Sequence, residues 1–268
     1  MKKLVYIPLL LLLLLIAPAA YHLQESREWN GKKCAVVLTY DDALNVHLDT
    51  VLPQLNKYNL KGTFYLVGNA PALTNRINEW RKAAKEGHEL GNHTLNHPCD
   101  GSLPGRAWVS KDANLAKYTV KRAIDEIKVT NAFLKAIDGK DKRTFAYPCG
   151  DLKINDTLFY NSLKNEFSGA RGVVSAYASA KDINLDNIYC FGQSDTTAEQ
   201  MIAQIKEAER KGSLIVLLFH GVGGEHPLNV SAKEHEKVLR YLSSRKKDIW
   251  VAPMVTVAEY IKKLQTAK

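Results

Sequence analysis

The stretch Leu214-Ile215-Val216-Leu217-Leu218-Phe219 is apolar at every position and is closed by His220-Gly221. A run without the in-and-out alternation of a half-solvated strand reads as a strand buried on both faces, the mark of a parallel sheet covered by helices. Before it, Thr197–Lys211 is amphipathic and stops at Gly212, a residue suited to ending a helix. After it come a helix over Lys233–Arg245, a strand over Ile249–Ala252 and a last helix over Thr256–Gln265. The earlier chain repeats this rhythm. Ala35–Tyr40 reads as a buried strand, and Val46–Tyr58 as a helix with Leu48, Val51, Leu52 and Leu55 on one face, bent or shortened by Pro53. Thr63–Val67, His88–Gly91 and Thr144–Tyr147 read as strands; Asn75–Glu86, Leu115–Ile137 and Asn155–Leu163 read as helices. Ser168–Asp195 reads as two short strands and loops.

Strands alternating with helices over short connections imply parallel strands and crossover helices, in a barrel or a doubly wound sheet. No internal repeat or composition shift divides the chain. One α/β domain is expected over 34–268, preceded by a polar linker over 21–33.

At 268 residues and 46% hydrophobic content, the chain can bury a sizeable core, and collagen, disorder and disulfide-packed mini-proteins are excluded. Lys2 and Lys3 precede an apolar run from Leu4 to Ala20 that ends in small residues. That is the pattern of a signal peptide over 1–20, with an uncleaved anchor as the rival reading. Either way the rest of the chain is expected outside the cytoplasm, secreted, periplasmic or in the cell envelope. The net charge of +9 suits an anionic envelope or simply a solvated surface. Its basic residues are spread along the chain, so nucleic acid is not expected as a partner. The chain is expected to be a monomer, touching a membrane only through an uncleaved N-terminal segment.

In parallel α/β folds the site lies at the carboxyl ends of the strands. Those ends carry Tyr40-Asp41-Asp42, then Asn92-His93-Thr94-Leu95-Asn96-His97, then Tyr147-Pro148-Cys149-Gly150-Asp151, then His220-Gly221. His93 and His97, four apart, would share one side of a helical turn, a usual way to hold a divalent metal, and equally a spacing that arises by accident. Two histidines and one carboxylate leave coordination positions open, as catalytic sites do. Of Asp41 and Asp42, one can ligate while the other stays free as a base; the plain alternative is a helix cap, which Asp42 or Asn45 would supply. His220 could be an acid, a ligand or a core histidine. No G-x-S-x-G elbow, phosphate-binding loop or dinucleotide fingerprint is present. Trp250, between Ile249 and Val251, suits the core.

In this order, "TYDD", "HTLNH", "FAYPCG" and "LLFHG" resemble the motifs of the NodB-homology polysaccharide deacetylases, carbohydrate esterase family four, from Thr39 to Gly221. The resemblance implies a distorted, incomplete (β/α) barrel. It implies Asp41 as catalytic base, Asp42, His93 and His97 as ligands of one divalent metal (zinc, with cobalt as the alternative), and His220 as catalytic acid. Tyr147, Pro148 and Cys149 match the oxyanion and substrate-binding segment, with the backbone N–H of Cys149 as the donor. The implied reaction is metal-dependent removal of acetyl groups from a carbohydrate, releasing acetate. N-acetyl groups of an amino-sugar polymer lead; O-acetyl groups of a xylan-like chain, or a sugar-binding relative without catalysis, are the alternatives.

The sequence departs from the family at two points. Ala146 stands where the third motif usually carries an arginine that orients the base, leaving Arg143 or Arg171 as substitutes. The fourth motif, an aspartate with a tryptophan, has only Asp182, Asp186 and Asp195 as candidates. Cys99 and Cys149 fall in two of the motif loops, and a disulfide between them is expected if those loops adjoin in an oxidising compartment.

Overall fold

The computed structural model describes Met1 and residues 27–267. The expected leader beyond Met1 and the first part of the expected linker lie outside the described residues. The strand at the centre of the fold is β1 (Cys34–Asp41), buried at every position. It is followed by β2 (Thr63–Leu66), β3 (Glu89–Asn92), β4 (Phe145–Ala146), β5 (Ala170–Arg171), β6 (Phe191–Gly192), β7 (Leu214–Phe219) and β8 (Ile249–Val251). All pairings in this sheet are parallel, in the order β5-β4-β3-β2-β1-β7-β6. The eighth strand pairs with β1 at Cys34–Val36, while β2 pairs with its far end at Thr39–Asp41. The segment after β5 bonds that strand at Ile188 and joins β7 at Phe191, so it crosses between the two edges and curls the sheet into a half-barrel.

Both faces of the central strands are covered. Val36, Leu38 and Tyr40 of β1 and Ile215, Leu217 and Phe219 of β7 pack in one cluster, while Ala35, Val37, Leu214, Val216 and Leu218 pack in another. This period-2 division of an all-apolar run is what parallel strands between two layers require. The first layer uses α1 (Leu52–Lys57), α2 (Pro71–Thr74), α3 (Ile77–Lys85), the end of α4 (Val120–Asp138), α5 (Ala198–Lys211) and α6 (Ala232–Ser244). The second uses α7 (Met254–Thr266) and Trp29.

Several boundaries follow from caps. Thr197 and Gln200 form a reciprocal capping box on α5, and Gly212 ends it in the left-handed conformation. The fourth helix begins at Val120 rather than Leu115, because Thr119 caps it through the N–H of Arg122. A π-helical turn over His47–Val51 precedes α1, which places Pro53 in its first turn, where no intrahelical donor is needed.

Two expectations are corrected. Asn155–Leu163 is not a helix: Lys153–Ile154 and Thr157–Leu158 form a hairpin, followed by a 3-10 turn over Phe159–Ser162. Asn155 takes a φ of 50°, as an Asn in a tight turn does, and Phe159 and Tyr160 are drawn into an aromatic cluster with Phe145, Tyr147 and Phe167. Residues 27–33, expected as linker, belong to the fold. Trp29 is fully buried, and its indole N–H donates to the Gly212 carbonyl at 2.8 Å.

Candidate metal centre and active site

At its carboxyl end β1 delivers Asp41 as its last residue. The next two residues, Asp42 (φ 81°) and Ala43 (φ 54°), are left-handed, a conformation non-glycine residues adopt at a cost. The cap alternative for Asp42 is answered by the other end of the chain. The carboxylate of Glu225 accepts from the N–H of Val46 and from Asn45, both at 2.7 Å, so it tends the start of the first helical segment. Asp42 caps nothing there, and its Oδ1 is buried without a hydrogen-bond partner.

The histidine pair is not on a helical turn as the spacing suggested. A chain of side-chain bonds winds the loop after β3: Asn92 Oδ1 accepts from Thr94 N at 2.8 Å, and Thr94 Oγ1 accepts from His97 N at 2.9 Å. Thr94 and His97 are left-handed. The imidazoles still converge, with ring centroids 4.7 Å apart. His93 is buried, and its Nδ1 donates to the Ala146 carbonyl at 2.8 Å, which leaves the Nε2 lone pair for a ligand. Burial, helped by neighbouring His97, pushes the His93 pKa well below the ordinary histidine value, so the ring is neutral.

The donor atoms of Asp42, His93 and His97 lie within 4.8 Å of one another. Ligands roughly 2.0–2.2 Å from a tetrahedral zinc stand about 3.3–3.6 Å apart. Asp42 Oδ1 lies 3.6 Å from His93 Nε2 and 3.4 Å from His97 Nε2. The spacing, the orphaned oxygen and the N,N,O donor set all fit a divalent ion with positions left open for substrate.

Of the two candidate arginines, Arg171 on the neighbouring strand is the one that reaches Asp41. Ala146 of β4 is the register partner of Arg171 on β5, and Arg171 Nη2 donates to Asp41 Oδ2. Burial opposes charge on this guanidinium, but Asp41, with Cys190 and Tyr65 adding, holds its pKa above the usual range. The Tyr65 ring lies 5.2 Å from the guanidinium carbon, and a Cβ at Gly91 would sit 2.5 Å from that ring, so glycine there gives Tyr65 its place. Asp41 Oδ1 is buried and has no hydrogen-bond partner among the described residues. Arg143 is elsewhere, bonded to Asp138 and to the Leu90 carbonyl.

Facing these groups, His220 follows β7. Its carbonyl accepts from buried His47 Nε2 at 2.8 Å, and its Nε2 is 4.0 Å from Asp42 Oδ2. Burial lowers its pKa, while Asp41 and Asp42 oppose that shift. Among the described residues, Asp182, Asp186 and Asp195 make no ion pair with it. Asp182 Oδ2 accepts from Ser179, Asp186 offers its carbonyl to the Tyr147 hydroxyl, and Asp195 N donates to Asn229. What flanks His220 instead is His226, stacked on it with centroids 4.7 Å apart and planes 12° from parallel. His226 accepts from Leu228 N at Nδ1, so the proton of its neutral ring is on Nε2, 3.7 Å from Asp42 Oδ2. His226 was missed from sequence; its only signal was a second histidine within the glycine-rich loop after His220.

Asp41, Asp42, His93, His97, Tyr147, Cys149, His220 and His226 line one cavity of about 730 Å³, while Pro148 is buried outside its lining. Cys149, left-handed at φ 54°, is joined to Cys99 by a disulfide with Cα atoms 5.7 Å apart. Cys34 and Cys190 are free and buried. Trp250 packs edge-on against Tyr260 at 5.1 Å, away from the cavity.

Residues 29–168, just over half of the chain, match the polysaccharide deacetylase family. A peptidoglycan-N-acetylglucosamine deacetylase of Bacillus cereus is 30% identical over 125 residues, 46% of this chain and 39% of that protein. A chitooligosaccharide deacetylase of Sinorhizobium fredii is 33% identical over 96 residues, 35% of this chain and 43% of that one. The chain thus spans less than half the length of these curated relatives. A solved Mycobacterium smegmatis structure, assigned to the polysaccharide deacetylases, shares the fold with a TM-score of 0.63 at 16% identity, covering 88% of this chain and 93% of that one. The chain belongs to the polysaccharide deacetylase family.

Proposed function

We propose that this protein removes acetyl groups from an amino-sugar polymer or oligomer, with one divalent metal, zinc first, held by Asp42, His93 and His97. The observation that carries the reading is the convergence of these three residues with Asp41 and His220 on a single cavity. A bound ion would supply Lewis acidity toward the acetyl carbonyl and acidify water. The protein's own groups divide the remaining work. Asp41, oriented through one oxygen by Arg171, takes the proton of the attacking water on the other. The backbone N–H of Cys149 donates to the developing oxyanion, and His220 protonates the departing amine. Acetate and a free amino sugar result. The deacetylases of peptidoglycan and of chitooligosaccharide among its relatives support N-acetyl over O-acetyl groups. An exported location, secreted or in the envelope, is part of the proposal, and the Cys99–Cys149 disulfide supports it.

The test is acetate release from an N-acetylglucosamine oligomer and from acetylated xylan, before chelation, after it, and with zinc or cobalt restored. Chelator-sensitive release that a His93→Ala variant lacks is expected, larger on the N-acetyl oligomer. Release that survives both chelation and His93→Ala would overturn the metal reading.

A further inference from the structure

The mouth of the cavity carries features that deacetylation of a single sugar does not require. Trp108, Leu228 and Val173 are 66%, 47% and 44% exposed, and all three line the cavity that holds Asp41, Asp42 and His220. A scattered exposed apolar residue needs no account, but three at one polar site do. The other tryptophans behave differently: Trp29 and Trp80 are fully buried, and Trp250 is packed on Tyr260.

Trp108 is not on a slack loop. The neck of its loop is closed by Cys99 N to the Ala113 carbonyl at 3.0 Å and Leu115 N to the Cys99 carbonyl at 2.8 Å. Within the loop, Gly101 N donates to Asn114 Oδ1. Val109 N donates to the Arg106 carbonyl, closing the turn that presents Trp108. Arg106 in turn donates to Asp151 and to the Cys149 carbonyl, and Asp100 N donates to the same Asp151 carboxylate. The disulfide makes a further tie to Cys149. The loop bearing the exposed indole is therefore fastened to the segment that bears the oxyanion donor. Ordering a loop costs conformational entropy, and these ties fix the indole relative to the reacting groups.

We infer that Trp108 is a stacking platform for a sugar ring next to the one being deacetylated, with Val173 and Leu228 extending its apolar surface. The inference rests on the carbohydrate-deacetylase reading above. A pyranose ring offers a face of C–H groups to an indole while its hydroxyls stay hydrated at the edge. The cavity, about 730 Å³, is of a size that takes ligands larger than one sugar ring. The protein should therefore prefer a chain to a single N-acetylated sugar.

The test uses zinc-loaded protein with fully N-acetylated chitopentaose and with N-acetylglucosamine. In Trp108→Ala, KM for the pentamer should rise about tenfold or more, so the pentamer-over-monomer ratio of kcat/KM collapses. Leu103→Ala, on the same loop but outside the cavity lining, should keep the wild-type ratio. Trp108→Phe should retain most of the preference while losing the change in indole emission that the pentamer causes in the wild type. An unchanged ratio in Trp108→Ala, or a pentamer that leaves wild-type emission unaltered, would overturn the platform. Should no variant or wild type release acetate, the deacetylase reading fails, and the emission titration still decides the platform.

Discussion

The two walls of the cavity are built by different means. One is the sheet: Asp41 and His220 end or follow the longest strands, β1 and β7, which pair over six register positions. The other is made of loops, 98–114, 148–151, 172–190 and 223–228, tied by Arg106, Glu225 and the disulfide. The first wall gets its precision from a backbone ladder and a two-layer core. The second has no such ladder and gets its precision from single side-chain bonds. Asp41, its partner Arg171 and His220 belong to the sheet wall, while Cys149, His226 and Trp108 belong to the loop wall. This division predicts that substitutions of non-covalent contacts in the loop wall change catalysis or binding with little effect on the core, and that core substitutions do the reverse; the disulfide, a covalent tie, is the exception.

The sharpest contrast is between two buried arginines. Arg171→Met removes the partner of Asp41 and should lower kcat about 100-fold or more, because the base loses its orientation. Arg143→Met breaks an equally buried set of bonds to Asp138 and Leu90 and should cost about 3–5 kcal/mol of stability, measured by denaturant unfolding, with kcat retained in the folded fraction. Similar kcat losses in both variants would break the distinction.

The same division explains what the sequence revealed. The strands β1 and β7 were legible because an all-apolar run between turns has few other readings, and α5 was legible through Thr197 and Gly212. The groups at their ends, Asp41, Asp42 and His220, were placed by those strands alone. His93 and His97 were found for a partly wrong reason: spacing suggested a helical turn, whereas Asn92 and Thr94 wind a left-handed loop that brings the rings together anyway. Arg171 was only one of two options, since its contact with Asp41 depends on the pairing of β4 with β5, a non-local contact that no local pattern shows. The 155–163 segment misled because Phe159, Tyr160 and Leu163, apolar residues that suit a helix, instead serve an aromatic cluster.

Opening the disulfide should affect stability first and the site second. Its partners are separated by 50 positions, and closing a loop of that length in the unfolded chain is worth about 4 kcal/mol on the chain-entropy account. A Cys99→Ser/Cys149→Ser double variant should unfold at correspondingly lower denaturant and bind zinc more weakly, because Cys99 Sγ lies 3.7 Å from His97 Nδ1. Unchanged unfolding would show that Arg106 and Asp151 hold the loop wall unaided.

Acid should act on the sheet wall and its core. Burial lowers the pKa of His47 to about 4 and those of His88 and His235 to about 3. Each is built in neutral; His235, for instance, accepts from Tyr40 at Nε2 and donates to Gln54 from Nδ1. Above the ordinary value of about 6.5 both folded and unfolded chains are neutral at these positions. Below it the unfolded chain takes up protons that the folded chain refuses, so stability falls with pH until about 4 for His47 and about 3 for the others. Each histidine should remove about 1.4 kcal/mol per pH unit in that window. Unfolding midpoints measured from pH 7 to 5 should drop on this account, and His235→Gln should flatten the slope.

The smallest effect expected is at His226, and it separates packing from chemistry within the loop wall. Its ring lies parallel to His220, while its Nε2 faces Asp42. A phenylalanine keeps the first feature and loses the second; an alanine loses both. If the stack fixes the angle of the His220 ring, His226→Ala should lower kcat about five- to tenfold and His226→Phe only about twofold. The side chain is partly exposed, so stability should stay within about 0.5 kcal/mol in both variants. Equal losses in the two would assign the effect to the Nε2 proton beside Asp42 instead. No loss in either would mean that His47, bonded to the His220 carbonyl from the core, holds that ring in place alone, and the sheet wall would then orient His220 as Arg171 orients Asp41.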